Sequence, residues 1–320
     1  MKAVRVVAPG AVELVEVPAP EPGPGEVVVH VAAAALCATD RKLAARGADE
    51  PRVPGHGVGG RLEDGTPVGV HPDIGCGWCP SCRAGYENRC PLRRSVGLDR
   101  DGGLAERMVV PAKHVVPLDG LPLEISPFLE PLACCVHAVS RLGVRPGDAA
   151  VVVGAGAMGI MCTWVLQHSE ATVAVCQRSA ERRHLARRLG ADAVLSPEEG
   201  AMTALDEPPR LAIVTAPGRE PLDWALREVA VGGAVHAFAG SAEAAALDAN
   251  LVHYRHLTLV GSTGSTLADY TRGQELVASG EVPIERLPHA TVSLEEAPDA
   301  LLGELNPGAL KVVVAVGGLA

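Results

Sequence analysis

The stretch Ala150–Gly159, AVVVGAGAMG, decides the fold of the C-terminal half of the chain. Its apolar run Val151–Val153 predicts a buried strand, and the glycines that follow predict a tight turn into a helix. A strand, a glycine turn and a helix in this order are typical of a unit that holds the pyrophosphate of a dinucleotide. The alternative is a tight turn that binds nothing. The predicted cofactor contacts are Gly154, Gly156, Ala157, Met158 and Gly159.

Composition limits the class of protein. The chain has 320 residues, 48% of them hydrophobic and 21% charged, which is typical of a globular protein with room for two domains. A net charge of -10 argues against nucleic acid as a partner, since phosphate binding needs a basic surface. No apolar run approaches the roughly 18 residues of a membrane span, and the N-terminus is unlike a signal peptide. We therefore expect a cytoplasmic protein without a membrane partner, whose nine cysteines are metal ligands or buried thiols.

The N-terminal part, residues 1 to 122, is rich in short β-branched runs. Lys2–Val7, Val12–Val17 and Glu26–Val31 are predicted strands, and turns rich in Pro and Gly, such as Pro18–Gly25, separate them. This pattern favours an irregular, barrel-like domain.

From about Cys134 onward, predicted strands alternate with predicted helices, which is typical of a doubly wound parallel sheet with helices on both faces. After about Gly264 the sequence predicts one more helix and a last strand that resembles the N-terminal half. We therefore expect the C-terminus to return to the first domain. The predicted strands are Val151–Val153, Thr172–Cys176, Ala193–Leu195, Leu211–Thr215, Ala234–Phe238, Leu257–Val260 and Leu310–Val316, and the helices include Ala180–Leu189, Pro221–Ala230 and Tyr270–Ser279.

Four cysteines form the sharpest motif of the chain. They stand in CGWCPSCRAGYENRC, separated by two intervals of two residues and one of seven. This spacing lets four thiolates surround one tetrahedral ion, and closed sites of this kind are structural zinc sites. We predict that Cys76, Cys79, Cys82 and Cys90 bind a zinc ion that holds this lobe together without taking part in chemistry.

A more dispersed set could form a second metal site. Cys37 in LCATD, His56 in VPGHG and Glu130 in LEPLA offer a thiolate, an imidazole and a carboxylate. Three such ligands make an open zinc site whose fourth position admits water or a substrate oxygen. Spacing alone leaves the alternatives open, because a single histidine is more often a hydrogen-bonded core residue and a glutamate at a helix start often caps the helix dipole.

The order of these motifs resembles one protein family. CATD, GH, a four-cysteine lobe, DGGLAERMVVP (Asp101–Pro111), EPLA and GAGAMG occur in this order in the zinc-containing medium-chain alcohol and polyol dehydrogenases. With Glu130 at the third ligand position, the chain is most similar to the branch of sorbitol, threonine and aminocyclitol dehydrogenases. The resemblance implies an α/β protein in two parts. These are a GroES-like β-barrel catalytic domain, residues 1–133 and 265–320 with the zinc lobe at about 76–90, and a Rossmann domain, residues 134–264.

The resemblance also implies roles for single residues. Cys37, His56 and Glu130 would bind the catalytic zinc, and Thr39 would bond the substrate oxygen and pass its proton outward. Asp40 matches the carboxylate that orients the ligand histidine, with a surface turn residue as the alternative. Lys42 replaces a histidine that ends the proton relay in many relatives, although a solvated lysine is the simpler reading. Gly57 departs from the family, which usually has glutamate after the ligand histidine.

Cofactor choice depends on the residues after the second strand of the nucleotide domain. An acidic residue there would bind the ribose diol of NAD, but this chain has Gln177 followed by Arg178. Arg178, or Arg182 or Arg183 in the next helix, can pair with a 2′-phosphate, so we predict a preference for NADP(H) over NAD(H). The alternative is that these arginines form a solvated helix face.

The sequence therefore predicts an enzyme with two zinc ions per chain that transfers a hydride between NADP(H) and a small polar secondary alcohol or ketone. Polyols, cyclitols, sugars and amino alcohols are the expected substrates, by resemblance alone. One alternative is a reductase of an activated alkene or imine with a degraded catalytic zinc site, which Gly57 favours. Another is a non-catalytic nucleotide-binding protein. Members of the family usually form homodimers or homotetramers, and we expect the same here.

Overall fold

A computed structural model describes residues 1–241, 246–303 and 309–317. Its contacts divide the chain into two units, Met1–Ala133 with Ser265–Ala278 and Leu287–Ala320, and Cys134–Gly264 with Ser279–Arg286. The segment Ser279–Arg286 groups with the second unit because Arg286 donates to the carbonyl of Arg188 at 2.7 Å and Glu281 pairs with His168 at 3.0 Å. The boundaries of the functional domains stay a prediction.

The described residues form seventeen strands and nine α-helices. The strands are β1 Lys2–Ala8, β2 Ala11–Glu16, β3 Glu26–Leu36, β4 Gly57–Arg61, β5 Pro67–Val70, β6 Asp73–Ile74, β7 Arg94–Ser95, β8 Arg107–Pro111, β9 Val115–Pro117, β10 Ala149–Val153, β11 Thr172–Cys176, β12 Ala193–Leu195, β13 Leu211–Val214, β14 Ala234–Ala237, β15 Thr258–Gly261, β16 His289–Ser293 and β17 Lys311–Ala315. The helices are α1 Ala38–Arg46, α2 Pro80–Arg83, α3 Ser126–Ser140, α4 Ala157–His168, α5 Ala180–Arg188, α6 Arg219–Glu228, α7 Ala249–Tyr254, α8 Leu267–Ala278 and α9 Ala297–Leu302.

In the second unit, six parallel strands form one sheet in the order β12-β11-β10-β13-β14-β15. The chain turns to one side of β10 for β11 and β12 and to the other side for β13 to β15, so β10 and β13 border the point where the strand order reverses. Ligands of such sheets bind at the carboxyl ends of the strands beside this point. The doubly wound fold predicted from the sequence is confirmed, and β10 is buried along its whole length.

In the first unit, β3 is the central strand of a seven-stranded sheet. Its first half pairs with β8 and its second half with β4 and β17, all antiparallel. The predicted end of this strand at Val31 is wrong, because the alanine-rich run that follows continues the pairing to Leu36. The last described strand, β17, returns to this sheet as predicted.

No helix among the described residues is both long and apolar enough to cross a membrane.

The glycine turn after β10 depends on close approach of backbone atoms. Gly154 has φ of 114°, which side chains rarely tolerate. Gly159, in the first turn of α4, lies so close to Gly154 that a methyl group there would overlap the carbonyl oxygen of Gly154. A methyl group at Gly156 would meet no heavy atom within 4 Å. Gly154 is thus needed for its backbone conformation and Gly159 for close packing, whereas Gly156 leaves open space beside the turn.

We expect Gly159→Ala to lower the free energy of unfolding by about 2 kcal/mol, because α4 must move away from the turn. Gly156→Ala is the matched control and should change it by less than about 0.5 kcal/mol. Thermal and urea unfolding followed by circular dichroism would measure both. Equal stability of the two variants would contradict the packing role of Gly159.

Candidate metal and active site

The sequence CATD folds into the cap of helix α1. Cys37 is the N-cap residue, and its sulfur accepts the backbone N–H of Thr39 at 3.1 Å. Asp40 reaches back, and its Oδ2 accepts the N–H of Cys37 at 2.8 Å. This reciprocal arrangement satisfies two amides of the first turn and fixes the Cys37 and Asp40 side chains relative to each other.

His56 lies immediately before β4 and faces both of these side chains. Its Nε2 lies 3.1 Å from the sulfur of Cys37, and its Nδ1 lies 3.3 Å from Oδ1 of Asp40. The same Oδ1 accepts the N–H of Gly55 at 3.0 Å, so the carboxylate is held from two sides. Asp40 is fully buried and therefore is no surface turn residue. A carboxylate on one ring nitrogen directs the other nitrogen toward Cys37.

Glu130 completes the predicted set from helix α3. It is buried, and its Oε2 lies 3.9 Å from Nε2 of His56. The structure thus brings together Cys37, His56 and Glu130, although 93 positions separate the first from the last. Sequence spacing could not establish this meeting, because it depends on α3 packing beside the start of β4.

The electrostatics of this cluster call for a cation. Burial lowers the pKa of His56, but the negative charges of Cys37, Asp40 and Glu130 outweigh it and raise the pKa well above its usual value. Burial raises the pKa of Cys37, and the charge of His56 reverses this and leaves it lowered. The anionic groups around this imidazole therefore favour positive charge at this point.

The geometry of the cluster suits zinc. With Zn–N near 2.0 Å and Zn–S near 2.3 Å, ligand atoms of a tetrahedral site lie roughly 3.3–3.8 Å apart. Sγ of Cys37 at 3.1 Å and Oε2 of Glu130 at 3.9 Å from Nε2 of His56 lie near this range, while the atoms that already lie within 4.8 Å of one another belong to Cys37, Asp40 and His56. Three ligands leave a fourth position open for a small molecule.

The four-cysteine lobe also suits zinc. The sulfurs of Cys76, Cys79, Cys82 and Cys90 lie within 4.8 Å of one another, and those of Cys76 and Cys82 are 4.0 Å apart. Amide N–H groups point at the sulfurs, for example that of Leu92 at Cys90 at 3.3 Å. Such bonds stabilise thiolates over thiols. All four ligands come from the protein, so this site has no open position.

The lobe is tied to the start of helix α8 within the same unit. Glu87, inside the lobe, accepts the N–H of Leu267, and Asp73 accepts the N–H of Ser265 at 3.2 Å. Carboxylates at a helix N-terminus satisfy amides that lack partners within the helix and match the dipole.

Comparisons with known proteins show the family of the chain. A profile of the alcohol dehydrogenase GroES-like domain matches residues 23–120, and a profile of zinc-binding dehydrogenases matches residues 157–279. The D-altritol 5-dehydrogenase of Agrobacterium fabrum strain C58 is 30% identical to this chain over 336 residues, which cover 98% of each protein. The chain belongs to the family of zinc-type medium-chain alcohol dehydrogenases.

Two further similarities support the assignment. The L-threonine 3-dehydrogenase of Pyrococcus furiosus is 32% identical over 302 residues, covering 85% of this chain and 86% of that protein. A crystal structure of a Sinorhizobium meliloti 1021 protein bound to NADP has a TM-score of 0.89 at 31% identity, covering 98% of each chain. This dehydrogenase is therefore an oxidoreductase of a class that uses zinc and a nicotinamide cofactor, with the predicted GroES-like and Rossmann parts.

Two other predicted site residues of the dehydrogenase lie on α1. Thr39 is half-buried next to the cap, and Lys42 is exposed one turn further along. Residues three apart share a helix face, so Lys42 follows Thr39 toward solvent. Among the described residues Lys42 has no hydrogen-bond or ion-pair partner, and its role stays a prediction.

Lys311 is a residue that sequence reasoning missed. It lies buried in β17, and its positive charge contributes to lowering the pKa of Cys37. The signal was present in the sequence, since Lys311 is the single charge in the apolar run of the last strand. A buried cation needs a negative partner, so a lysine in this strand predicts an anionic group beside it in the fold.

The predicted cofactor residues of the second unit gather at the carboxyl ends of β10 and β11. Gly154, Gly156, Ala157, Met158 and Gly159 form the turn into α4. Gln177 follows β11 directly, Arg178 is exposed beside it, and Arg182 lies in the first turn of α5. Arg183 folds back onto this turn and donates to the carbonyls of Gln177 at 2.7 Å and Arg178 at 2.6 Å.

We expect Asp40→Ala to lower the free energy of unfolding by about 3 kcal/mol, because it leaves the buried N–H groups of Cys37 and Gly55 without acceptors. Asp40→Asn keeps one acceptor and should cost about half as much. The exposed Asp49→Ala is the control and should change stability by less than about 0.5 kcal/mol. Urea unfolding at pH 7 would measure all three, and an Asp40→Ala variant as stable as the control would contradict this role.

Proposed function

We propose that this dehydrogenase transfers a hydride between NADP(H) and a small polar secondary alcohol or its ketone, with zinc held by Cys37, His56 and Glu130. The observation that carries the proposal is the approach of Cys37 and Glu130, from separate segments, to Nε2 of His56, with Asp40 at the other ring nitrogen. A structural metal site takes all its ligands from the protein and has no open position. A protein that only binds nucleotides needs no such position beside a hydroxyl residue.

We further propose a second zinc ion in the four-cysteine lobe, which gives two per chain. When bound at the three-ligand site, zinc would polarise the substrate oxygen and lower the pKa of the alcohol, while the nicotinamide would accept the hydride. Asp40 holds the imidazole of His56 in one orientation, and the buried surroundings of Glu130 exclude competing water.

Thr39 is the proposed proton carrier. Its amide is fixed by the bond to Cys37, so this half-buried residue stays next to the ligand set. A hydroxyl group can accept the alcohol proton while it donates its own, which moves the proton away from the reacting carbon. Lys42, exposed on the same helix face, is the proposed outlet to solvent or a contact for an anionic group of the substrate.

A polar substrate is supported by two considerations. The relatives reported above are named for D-altritol, a polyol, and L-threonine, which carries a secondary hydroxyl. The chain has only three Trp, three Tyr and two Phe, so few side chains are available to stack on a flat aromatic substrate.

The preference for NADP(H) is supported by the end of β11. Gln177, and not an acidic residue, follows β11 directly, and Arg178 is exposed beside it. The bonds from Arg183 to the two carbonyls rigidify the turn that presents Arg178. A guanidinium can bind a phosphate through two parallel hydrogen bonds.

We also propose that the chain forms a homodimer or homotetramer. Strand β15 is the edge of the six-stranded sheet, and its Leu259 is 38% exposed. An uncovered edge strand with an apolar side chain favours pairing with a second copy.

We expect Cys37→Ser to remove one of two zinc ions and to lower turnover by at least about a thousandfold, since several kcal/mol of charge stabilisation are lost. The affinity for NADPH should not change, because the nucleotide contacts lie in the other unit. Metal analysis, steady-state kinetics and NADPH fluorescence titration would measure the three quantities.

Cys162→Ala, a buried thiol in α4, is the control and should keep both zinc ions. Full activity of Cys37→Ser would refute the mechanism. One zinc per chain in the unmodified protein would instead favour a reductase of activated alkenes or imines.

We expect at least a tenfold preference of kcat/KM for NADP(H) over NAD(H), and we expect Arg178→Gln to reduce it by about tenfold because a charge-assisted pair is lost. Arg188→Gln, at the far end of α5, is the control and should leave the preference unchanged. A preference for NAD(H) in the unmodified protein would overturn the cofactor proposal.

A further inference from the structure

Gly57 follows His56 directly and opens strand β4. A methyl group on Gly57 would lie 2.5 Å from the carbonyl oxygen of Pro127, closer than side-chain carbons approach oxygen in proteins. The φ angle of Gly57 is not in the left-handed region, so its backbone would allow other residues. The requirement for glycine at this position is therefore one of space and not of conformation.

The position of the Pro127 carbonyl has a cause in the same helix. Pro127 is the second residue of α3, and Pro131 stands four residues later inside the helix. Proline has no N–H to donate to the carbonyl four residues before it, and its ring pushes that carbonyl outward. The carbonyl of Pro127 is thus directed away from the helix and occupies the space beside Gly57.

The next glycine on the same face of β4 makes a second close approach. Gly59 is two residues after Gly57, so both face the same side of the strand. A methyl group at Gly59 would overlap the hydroxyl oxygen of Ser126, which is buried and donates to the carbonyl of Leu123 at 2.6 Å. Two consecutive contacts therefore hold the first turn of α3 directly against the backbone of β4. We call this contact of Gly57 and Gly59 with Ser126 and Pro127 the glycine seam.

The seam joins the segments that carry two of the three proposed zinc ligands. His56 precedes Gly57 by one residue, and Glu130 follows Pro127 by three, about one helical turn. Any side chain at position 57 would push the start of α3 away from β4. Such a movement changes the distance from His56 Nε2 to Glu130 Oε2, which is 3.9 Å.

We propose that Gly57 is a positioning residue that sets the separation of His56 and Glu130, and through it the zinc affinity of the three-ligand site. The inference rests on the proposed zinc ligation. It gives a positive role to the position at which this chain differs from its family, since the packing of this chain leaves no room for a side chain between Gly57 and the carbonyl of Pro127. The four-cysteine lobe provides an internal reference, because none of its ligands touches the seam.

The first test is Gly57→Ala in the full-length, zinc-loaded protein. We expect the zinc affinity of the three-ligand site to fall at least about tenfold, as for other changes that misplace a ligand. The lobe should keep its zinc. Competition with a chelator, followed by metal analysis, would give both affinities, and the absorption spectrum of Co²⁺ bound in place of zinc would report the ligand geometry.

The second test adds Pro131→Ala to the first variant. Alanine at 131 supplies an N–H that can bond the carbonyl of Pro127 and draw it back into the helix, which makes room for the methyl group at 57. We expect the double variant to recover most of the lost zinc affinity. Pro131→Ala changes no proposed zinc ligand. If Gly57→Ala only destabilised the fold in general, adding Pro131→Ala would not restore zinc affinity.

Gly261→Ala is the matched control, because a methyl group there would have its nearest contact at 3.9 Å in another strand. It should change neither zinc site. If the unmodified protein holds fewer than two zinc ions, the proposed function fails. If it holds two and Gly57→Ala binds both with unchanged affinity, or if Pro131→Ala restores nothing to a Gly57→Ala protein that has lost zinc, the role of Gly57 is wrong.

Discussion

The buried carboxylate of Asp40 is the interaction on which the site depends. Its two oxygens bind the amides of Cys37 and Gly55 and face Nδ1 of His56, so one side chain fixes two proposed ligands and the backbone before β4. An ionised group in the interior persists only where each oxygen has a partner. One amide N–H on each oxygen meets this condition. Burial would raise the pKa of Asp40, but the charge of His56 and these bonds outweigh it and leave the pKa lowered.

Close approach of backbone atoms at glycines fixes the distance between a helix start and a strand at two places in the structure. In the second unit, Gly159 lets α4 pack on the turn after β10, and in the first, Gly57 and Gly59 let α3 pack on β4. In both places a helix start must lie at a fixed distance from a strand, because a nucleotide phosphate or a metal ligand has to be placed to within a fraction of an ångström. Side chains can adjust around a larger gap, whereas contact of backbone with backbone leaves little freedom.

The sequence predicted those features that depend on neighbouring residues. The six strands of the second unit are apolar runs between turn signals, and their bounds agree with the structure to within one or two residues. The spacing of Cys76 to Cys90 likewise defines a local lobe. Features that depend on distant contacts were missed. Strand β3 continues through alanines because β4 and β17 pair with it, and helix α3 tolerates Pro131 because surrounding packing supports it. Neither the partner strands nor the packing can be read from a local window.

Charge balance explains why Lys311 is buried near Cys37. The thiolate of Cys37 and the carboxylates of Asp40 and Glu130 carry three negative charges, while His56 must be neutral to act as a ligand. At the proposed site a divalent cation would compensate two of these charges, and the ammonium group of Lys311, whose charge lowers the pKa of Cys37, can compensate the third. A neutral cluster can gain or release one substrate proton without leaving more than one unit of uncompensated charge in the interior. In the proposed four-thiolate site a divalent cation would compensate two of the four negative charges, and amide N–H groups such as that of Leu92 stabilise the sulfurs.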